Sequence, residues 1–165
     1  MLRKLVVLGV LVVPALAFAQ PKAGQFELTL SGVGSNDKEF RSGSAGVNLG
    51  LGYFATQNAE ISIRQSVSYS DSDQSGGGTS WDGSTRVAFD WHFDLDRWQP
   101  FLGISGGYKY GDNTRDTWIA GLEGGVKYYV HSNTFIYGIA EYQFDLRGRF
   151  GDGAFVYGLG IGTNW

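Results

Sequence analysis

The sequence predicts an all-β chain, eight antiparallel strands wound up and down into a closed transmembrane β-barrel, and three observations carry that prediction. Apolar and polar residues alternate with period two in eight segments after residue 20, with turn-rich breaks between them. The polar side of the alternation is mostly Gly and Ser. Small residues on that side and bulky aliphatics opposite suit a cramped lumen inside a lipid-touching wall, whereas a soluble sandwich would crowd its polar side with Lys and Glu. Tyr and Trp collect at segment ends, as side chains do at the two interfaces of a bilayer.

The first nineteen residues stand apart from this pattern. Arg3 and Lys4 precede an apolar stretch over 5–15, and Ala17-Phe18-Ala19 supplies small residues ahead of Gln20, which reads as a secretory signal peptide over 1–19. The apolar run is shorter than the roughly 20 residues of a membrane-spanning helix. The expected mature domain is the barrel over 20–165. Losing two basic residues and no acidic one moves the formal charge from −3 to −5.

The segments follow in order: about 24–34, 43–53, 58–70, 81–93, 100–110, 117–130, 134–146 and 154–165. Most match the roughly 9–11 residues of a tilted membrane-crossing strand or exceed them slightly. In the second, Ala45, Val47, Leu49, Leu51 and Tyr53 oppose Ser44, Gly46, Asn48, Gly50 and Gly52. In the third, Ala59, Ile61, Ile63, Val67 and Tyr69 oppose Glu60, Ser62, Arg64, Ser66 and Ser68, so charge sits only on the polar face. The fourth runs from Trp81 to Trp91 and Phe93, the fifth opens at Pro100, and the sixth and seventh carry Glu123 and Glu141. In the last, Phe155, Tyr157, Leu159, Ile161, Thr163 and Trp165 face one way, and Val156, Gly158, Gly160, Gly162 and Asn164 the other.

Threading these segments from a periplasmic N-terminus gathers Tyr53, Phe54, Trp91, Phe93, Trp98, Phe101, Tyr128, Tyr129, Phe135 and Trp165 at one rim. Tyr69, Trp81, Tyr108, Tyr110, Trp118 and Phe144 mark the other. Connections at the first rim are tight (54–57, 94–99, 131–133). Those at the second are longer and polar (35–42, 70–80, 111–116, 147–153), which is the outer-membrane pattern.

These features resemble the small eight-stranded outer-membrane proteins typified by the transmembrane domain of OmpA and by OmpX. The resemblance rests on the leader, the eight alternating segments, Gln99-Pro100-Phe101-Leu102-Gly103, Glu141-Tyr142-Gln143-Phe144 and the terminal strand. It implies that Tyr157, Leu159, Ile161 and Trp165 act as a C-terminal signal read by the outer-membrane assembly machinery, with Trp165 where the class usually has Phe. Outer-membrane lipid is the other implied partner. A monomer is expected, and no anchoring role that needs a peptidoglycan-binding domain.

Other chemistries find little support. The chain lacks Cys, which removes thiolate nucleophiles, zinc ribbons and iron–sulfur clusters, and two His leave little for a metal site. No Lys/Arg run could track a nucleic acid. His131, Ser132 and Glu141 bring to mind a lipid A deacylase triad, but adjacent strand residues face opposite ways and His131-Ser132-Asn133 reads as a turn. Asp71, Asp73, Ser75, Gly76 and Asp82 have calcium-loop spacing, yet their Gly-rich setting is equally that of an external loop. Gly158, Gly160 and Gly162 line one strand face with no following helix, so they form no phosphate cradle. No cofactor or resident metal is expected.

What remains is the lumen. Arg64, Arg86, Glu123 and Glu141 all fall six to eight residues above the tight turns, and two cations with two anions in a dry space should pair. Lys109 and Lys127, nearer the rims, are expected to be solvated. The expected function is a non-catalytic outer-membrane barrel with a structural or surface-interaction role and a filled lumen. The alternatives are a narrow ion channel gated by the Arg/Glu network and, less favoured, a deacylase-like enzyme.

Overall fold

The computed structural model describes residues 21–37, 43–72, 78–112 and 116–165; the segment read as a signal peptide lies outside them. The strands are β1 (Phe26–Asp37), β2 (Gly43–Phe54), β3 (Ala59–Ser72), β4 (Gly78–His92), β5 (Trp98–Gly111), β6 (Thr117–Tyr129), β7 (Thr134–Asp145) and β8 (Ala154–Asn164). Each pairs antiparallel with its chain neighbour, and β8 returns to β1, so the sheet closes without an edge. At the seam the Phe26 and Trp165 backbones exchange two hydrogen bonds, both 3.0 Å.

Several boundaries differ from the sequence expectation. β3 and β4 continue past the alternating stretch, because Ser70↔Ser80, Asp71↔Thr79 and Ser72↔Gly78 extend the ladder. Alternation marks a contrast in burial, and pairing can outrun it. β1 starts at Phe26, after a turn in which Gly24 takes φ +91° and donates to Phe54 O at 2.8 Å. β5 starts at Trp98, since Asp96 (φ 64°) makes a turn tight enough for Leu95 and Trp98 to exchange backbone bonds of 3.0 and 3.2 Å. Pro100 is therefore the strand's third residue, and its carbonyl accepts from Phe93 N–H at 2.8 Å.

The alternation is inside out relative to a soluble protein. Leu28, Leu30, Leu49, Leu51, Ile63, Leu102, Leu159 and Ile161 face outward with exposures of 41–77%. Glu27, Asn48, Arg64, Asp90, Glu123 and Glu141 face inward and are at most 9% exposed. Such a wall is stable against hydrocarbon and unfavourable in water. The aromatics at the tight-turn rim divide by the same parity. Tyr53, Trp91, Phe93, Trp98 and Trp165 form the outer belt. Phe54, Phe101, Tyr129 and Phe135, expected at the rim, are buried in the lumen. Phe54 follows outward Tyr53 and Tyr129 follows Tyr128, and successive strand residues point to opposite faces.

Candidate functional site

Register explains how the lumen is charged. Arg64 and Arg86 are direct cross-strand partners on β3 and β4, and Glu123 and Glu141 are direct partners on β6 and β7. Like charges directly opposite each other on neighbouring strands repel. Here each row is neutralised by the other across the lumen. Arg64 Nη1 donates to Glu123 Oε1 at 2.7 Å and its Nη2 to Asp90 Oδ2 at 2.5 Å. Arg86 Nη1 donates to Glu141 Oε2, and its Nη2 reaches Ser66 Oγ at 3.3 Å. Glu141 also accepts from Ser105 Oγ and, at 3.0 Å, from Gln143 Nε2. The four residues singled out in the sequence thus lie side by side, with Arg86 rather than Arg64 holding Glu141.

Close packing at this level depends on wall residues without side chains. A Cβ at Gly121 would overlap the Glu141 carboxylate and lie 2.7 Å from Ser105 Oγ. One at Gly103, the cross-strand partner of Asp90, would overlap that carboxylate and approach Phe89 O at 2.6 Å.

A second charged layer lies nearer the tight turns, and here the structure corrects the sequence reading. Lys127 is buried: Nζ donates to both Glu27 oxygens at 2.7 Å and to Glu60 Oε2 at 3.0 Å. The ammonium also lies 5.1–5.8 Å from the ring centres of Phe54, Phe101 and Phe135, within reach of a cation–π contact. Lys127 is two residues from inward Tyr129 and four from inward Glu123, so parity turns it into the lumen whatever its distance from the rim. His92 packs between Phe54 and Phe101, each 5.3 Å away centre to centre. Its Nε2 is 3.3 Å from Glu60 Oε2 but not aligned to donate to it. Tyr129 OH donates to Gln99 at 3.3 Å and accepts from Asn164 Nδ2 at 2.9 Å.

Among the described residues the buried charges are five carboxylates (Glu27, Glu60, Asp90, Glu123, Glu141) and three cations (Arg64, Arg86, Lys127). Between the layers a cavity of about 30 Å³ touches Asn48, Ser62, Arg64 and Asp90. Above them, a cavity of about 100 Å³ is lined by Ser66, Ser68, Ser84, Arg86, Lys109 and Gln143.

The remaining candidates do not assemble. Ser132 Oγ lies 3.1 Å from His131 Nδ1 in the exposed β6–β7 turn, while Glu141 is held on Arg86 inside the barrel. Asp71 and Asp82 belong to β3 and β4; Asp73, Ser75 and Gly76 lie outside the described residues. No cluster of three or more His, Asp or Glu suited to a metal occurs among the described residues.

The closed antiparallel wall with outward aliphatics, an aromatic belt and a charged lumen defines a small transmembrane β-barrel of the outer-membrane type. Solved structures with this fold include the outer membrane protein OprG from Pseudomonas aeruginosa, with TM-score 0.65 and 11% identity over 87% of this chain and 97% of that one. Neisserial surface protein A gives TM-score 0.61 and 12% identity over 85% and 94%. Ail, the attachment invasion locus protein of Yersinia pestis, gives 0.58 and 15% over 87% and 99%. The chain shares their eight-stranded fold. No protein-family model matches it, and no curated protein does.

Proposed function

We propose that this protein is a non-catalytic barrel of the bacterial outer membrane, with a plugged lumen and a structural or surface-interaction role carried by its loops. The observation that supports this most is the double closure of the lumen. The Arg64/Arg86 to Asp90/Glu123/Glu141 layer is backed by the Lys127, His92, Phe54, Phe101 and Phe135 layer, and a permeating ion would have to displace both. Proteins named for the surface and for attachment and invasion have the same fold; fold likeness alone does not transfer a role.

Planar-bilayer recordings on the purified protein test the reading, beside the lipid A profile of cells that express it. Silent bilayers and an unchanged lipid A profile are expected. Reproducible unitary conductance would replace the plug with a gated channel, and loss of an acyl chain from lipid A would establish an enzyme.

A further inference from the structure

The outward wall carries a set of polar side chains among aliphatic neighbours. Gln65 and Thr85 are direct cross-strand partners on the outward faces of β3 and β4, beside Ile63, Val67 and Val87 and level with Leu49, which pairs with Gln65. They stand four residues below Tyr69 and Trp81, which is about 10 Å of depth for a strand rising roughly 3.4 Å per residue and tilted by roughly 40°. Tyr110 joins them from above. It pairs with Gly83, and a Cβ there would lie 2.5 Å from its ring, so the bare backbone lets the ring lie along the wall. Trp81 meets that ring edge-on, 6.2 Å between centres.

The three side chains bond to one another. Thr85 Oγ1 donates to Gln65 Oε1 at 2.7 Å, and Gln65 Nε2 donates to Tyr110 OH at 2.7 Å and to Ser66 O at 3.2 Å. The Tyr110 hydroxyl thus turns toward the bilayer interior, whereas belt tyrosines ordinarily keep it among the headgroups. Its own hydrogen reaches only Thr85 Oγ1 among the described residues, at 3.4 Å, beyond the range of a good O–H···O bond. Both amide hydrogens and the Thr85 hydrogen are therefore used, the Tyr110 hydrogen is poorly used, and further acceptor capacity on Gln65 Oε1 and Thr85 Oγ1 stays open. Unused polar capacity facing hydrocarbon is costly. A group that accepts one hydrogen bond and donates one would complete the ring, and a hydroxyl does both. A second copy of the chain would bring the same surplus of acceptors and match it poorly.

We propose that Gln65, Thr85 and Tyr110 form a site on the outer wall for a membrane lipid that carries a hydroxyl group near the middle of an acyl chain. The hydroxyl accepts from Tyr110 OH and donates to Gln65 Oε1 or Thr85 Oγ1, while the chain runs over Leu49, Val67 and Val87. This rests on the reading of the chain as a membrane barrel whose outward wall touches lipid.

Native mass spectrometry of the protein purified from membranes tests it, with titration by phosphatidylcholine that carries either ricinoleoyl chains, hydroxylated near the middle, or oleoyl chains. The wild type should prefer the ricinoleoyl lipid by about two- to tenfold, the net worth of one hydrogen bond. Q65L/T85V replaces the polar pair by apolar side chains of similar size, so it should reach the same heat-modifiable folded form and bind both lipids equally. Y110F should lose most of the preference, and T85S, which keeps the hydroxyl, should retain it. Equal binding by the wild type, or an undiminished preference in Q65L/T85V, would overturn the proposal. So would a stronger preference for a lipid hydroxylated beside its ester, which would move the contact to the interface. A wild-type dimer that Q65L/T85V dissociates would also overturn it, by making the patch a contact between copies. Flotation with phosphatidylcholine vesicles reads the membrane assignment separately: a protein that stays at the bottom of the gradient is no membrane barrel, and the proposal falls with that reading.

Discussion

Replacing Glu141 by Ala should destabilise the barrel by about 3–5 kcal/mol, the cost of leaving one member of a buried ion pair without its partner. The geometry favours the upper half of that range. Glu141 is 3% exposed, neutralises Arg86, and accepts from Ser105 and Gln143 as well. Its loss also leaves Arg86 directly opposite Arg64 with one fewer counter-charge in the row. A double-mutant cycle then apportions the effect. E141A with R86A should couple by about 2 kcal/mol or more, as contacting residues can, and the double variant should be more stable than E141A alone. E141A with R64A should couple by less than about 1 kcal/mol, because Arg64 is held by Glu123 and Asp90. Urea unfolding in phospholipid vesicles, followed by tryptophan fluorescence and heat-modifiable gel mobility, measures every corner of both cycles. A single-variant loss below about 0.5 kcal/mol, the usual size of a surface change, would refute the pairing. So would a larger coupling to Arg64 than to Arg86.

Leu49→Arg should cost roughly 2–4 kcal/mol in the same assay, as lipid-facing charges near the midplane do. Asn48→Ser, on the inward face and in contact with Ser66 at 3.0 Å, should be mild; equal effects would reverse the assignment of faces. Gly121→Val should destabilise by several times more than Gly32→Val, because a Cβ at Gly121 meets Glu141 and Ser105 whereas one at Gly32 meets open space; similar losses would mean the lumen repacks freely. Deleting Trp165 should lower the folded protein recovered from the outer membrane, since its backbone bonds to Phe26 close the seam; unchanged amount and gel mobility would remove its role in assembly.

Much of the wall was legible because its code is local. Parity alone places Leu49 outside and Asn48 inside, and it places Arg64, Arg86, Glu123 and Glu141 in the lumen. The same rule could have found Lys127, Phe54 and Tyr129, each of which follows or alternates with a residue of known direction. Nearness to a rim and aromatic character point the other way for these residues, and parity overrides both. The choice of ion-pair partner was not legible. Neighbour register puts Arg86 beside Gly107 and Glu141 beside Val156, and only the tilt and stagger of the closed barrel bring those two side chains together across the lumen. Glu27, Glu60 and Asp90 carried a parity signal without any sign that the first two meet on Lys127 and the third on Arg64.

The ion pairs also do something that the sheet cannot. Every backbone ladder in this barrel joins neighbouring strands, so ladders alone leave the cross-section free to flatten. Arg64–Glu123 ties β3 to β6, Arg86–Glu141 ties β4 to β7, and Lys127 ties β6 to both β1 and β3. These are chords across the circle. They also oppose register slip, because shifting one strand by a residue would turn its lumenal charge toward lipid while carrying Leu or Ile into a polar interior. The charged lumen therefore selects one register and one roundness as much as it fills space. A wall fixed from inside in this way leaves the external loops free to vary in sequence, and surface recognition would be built there.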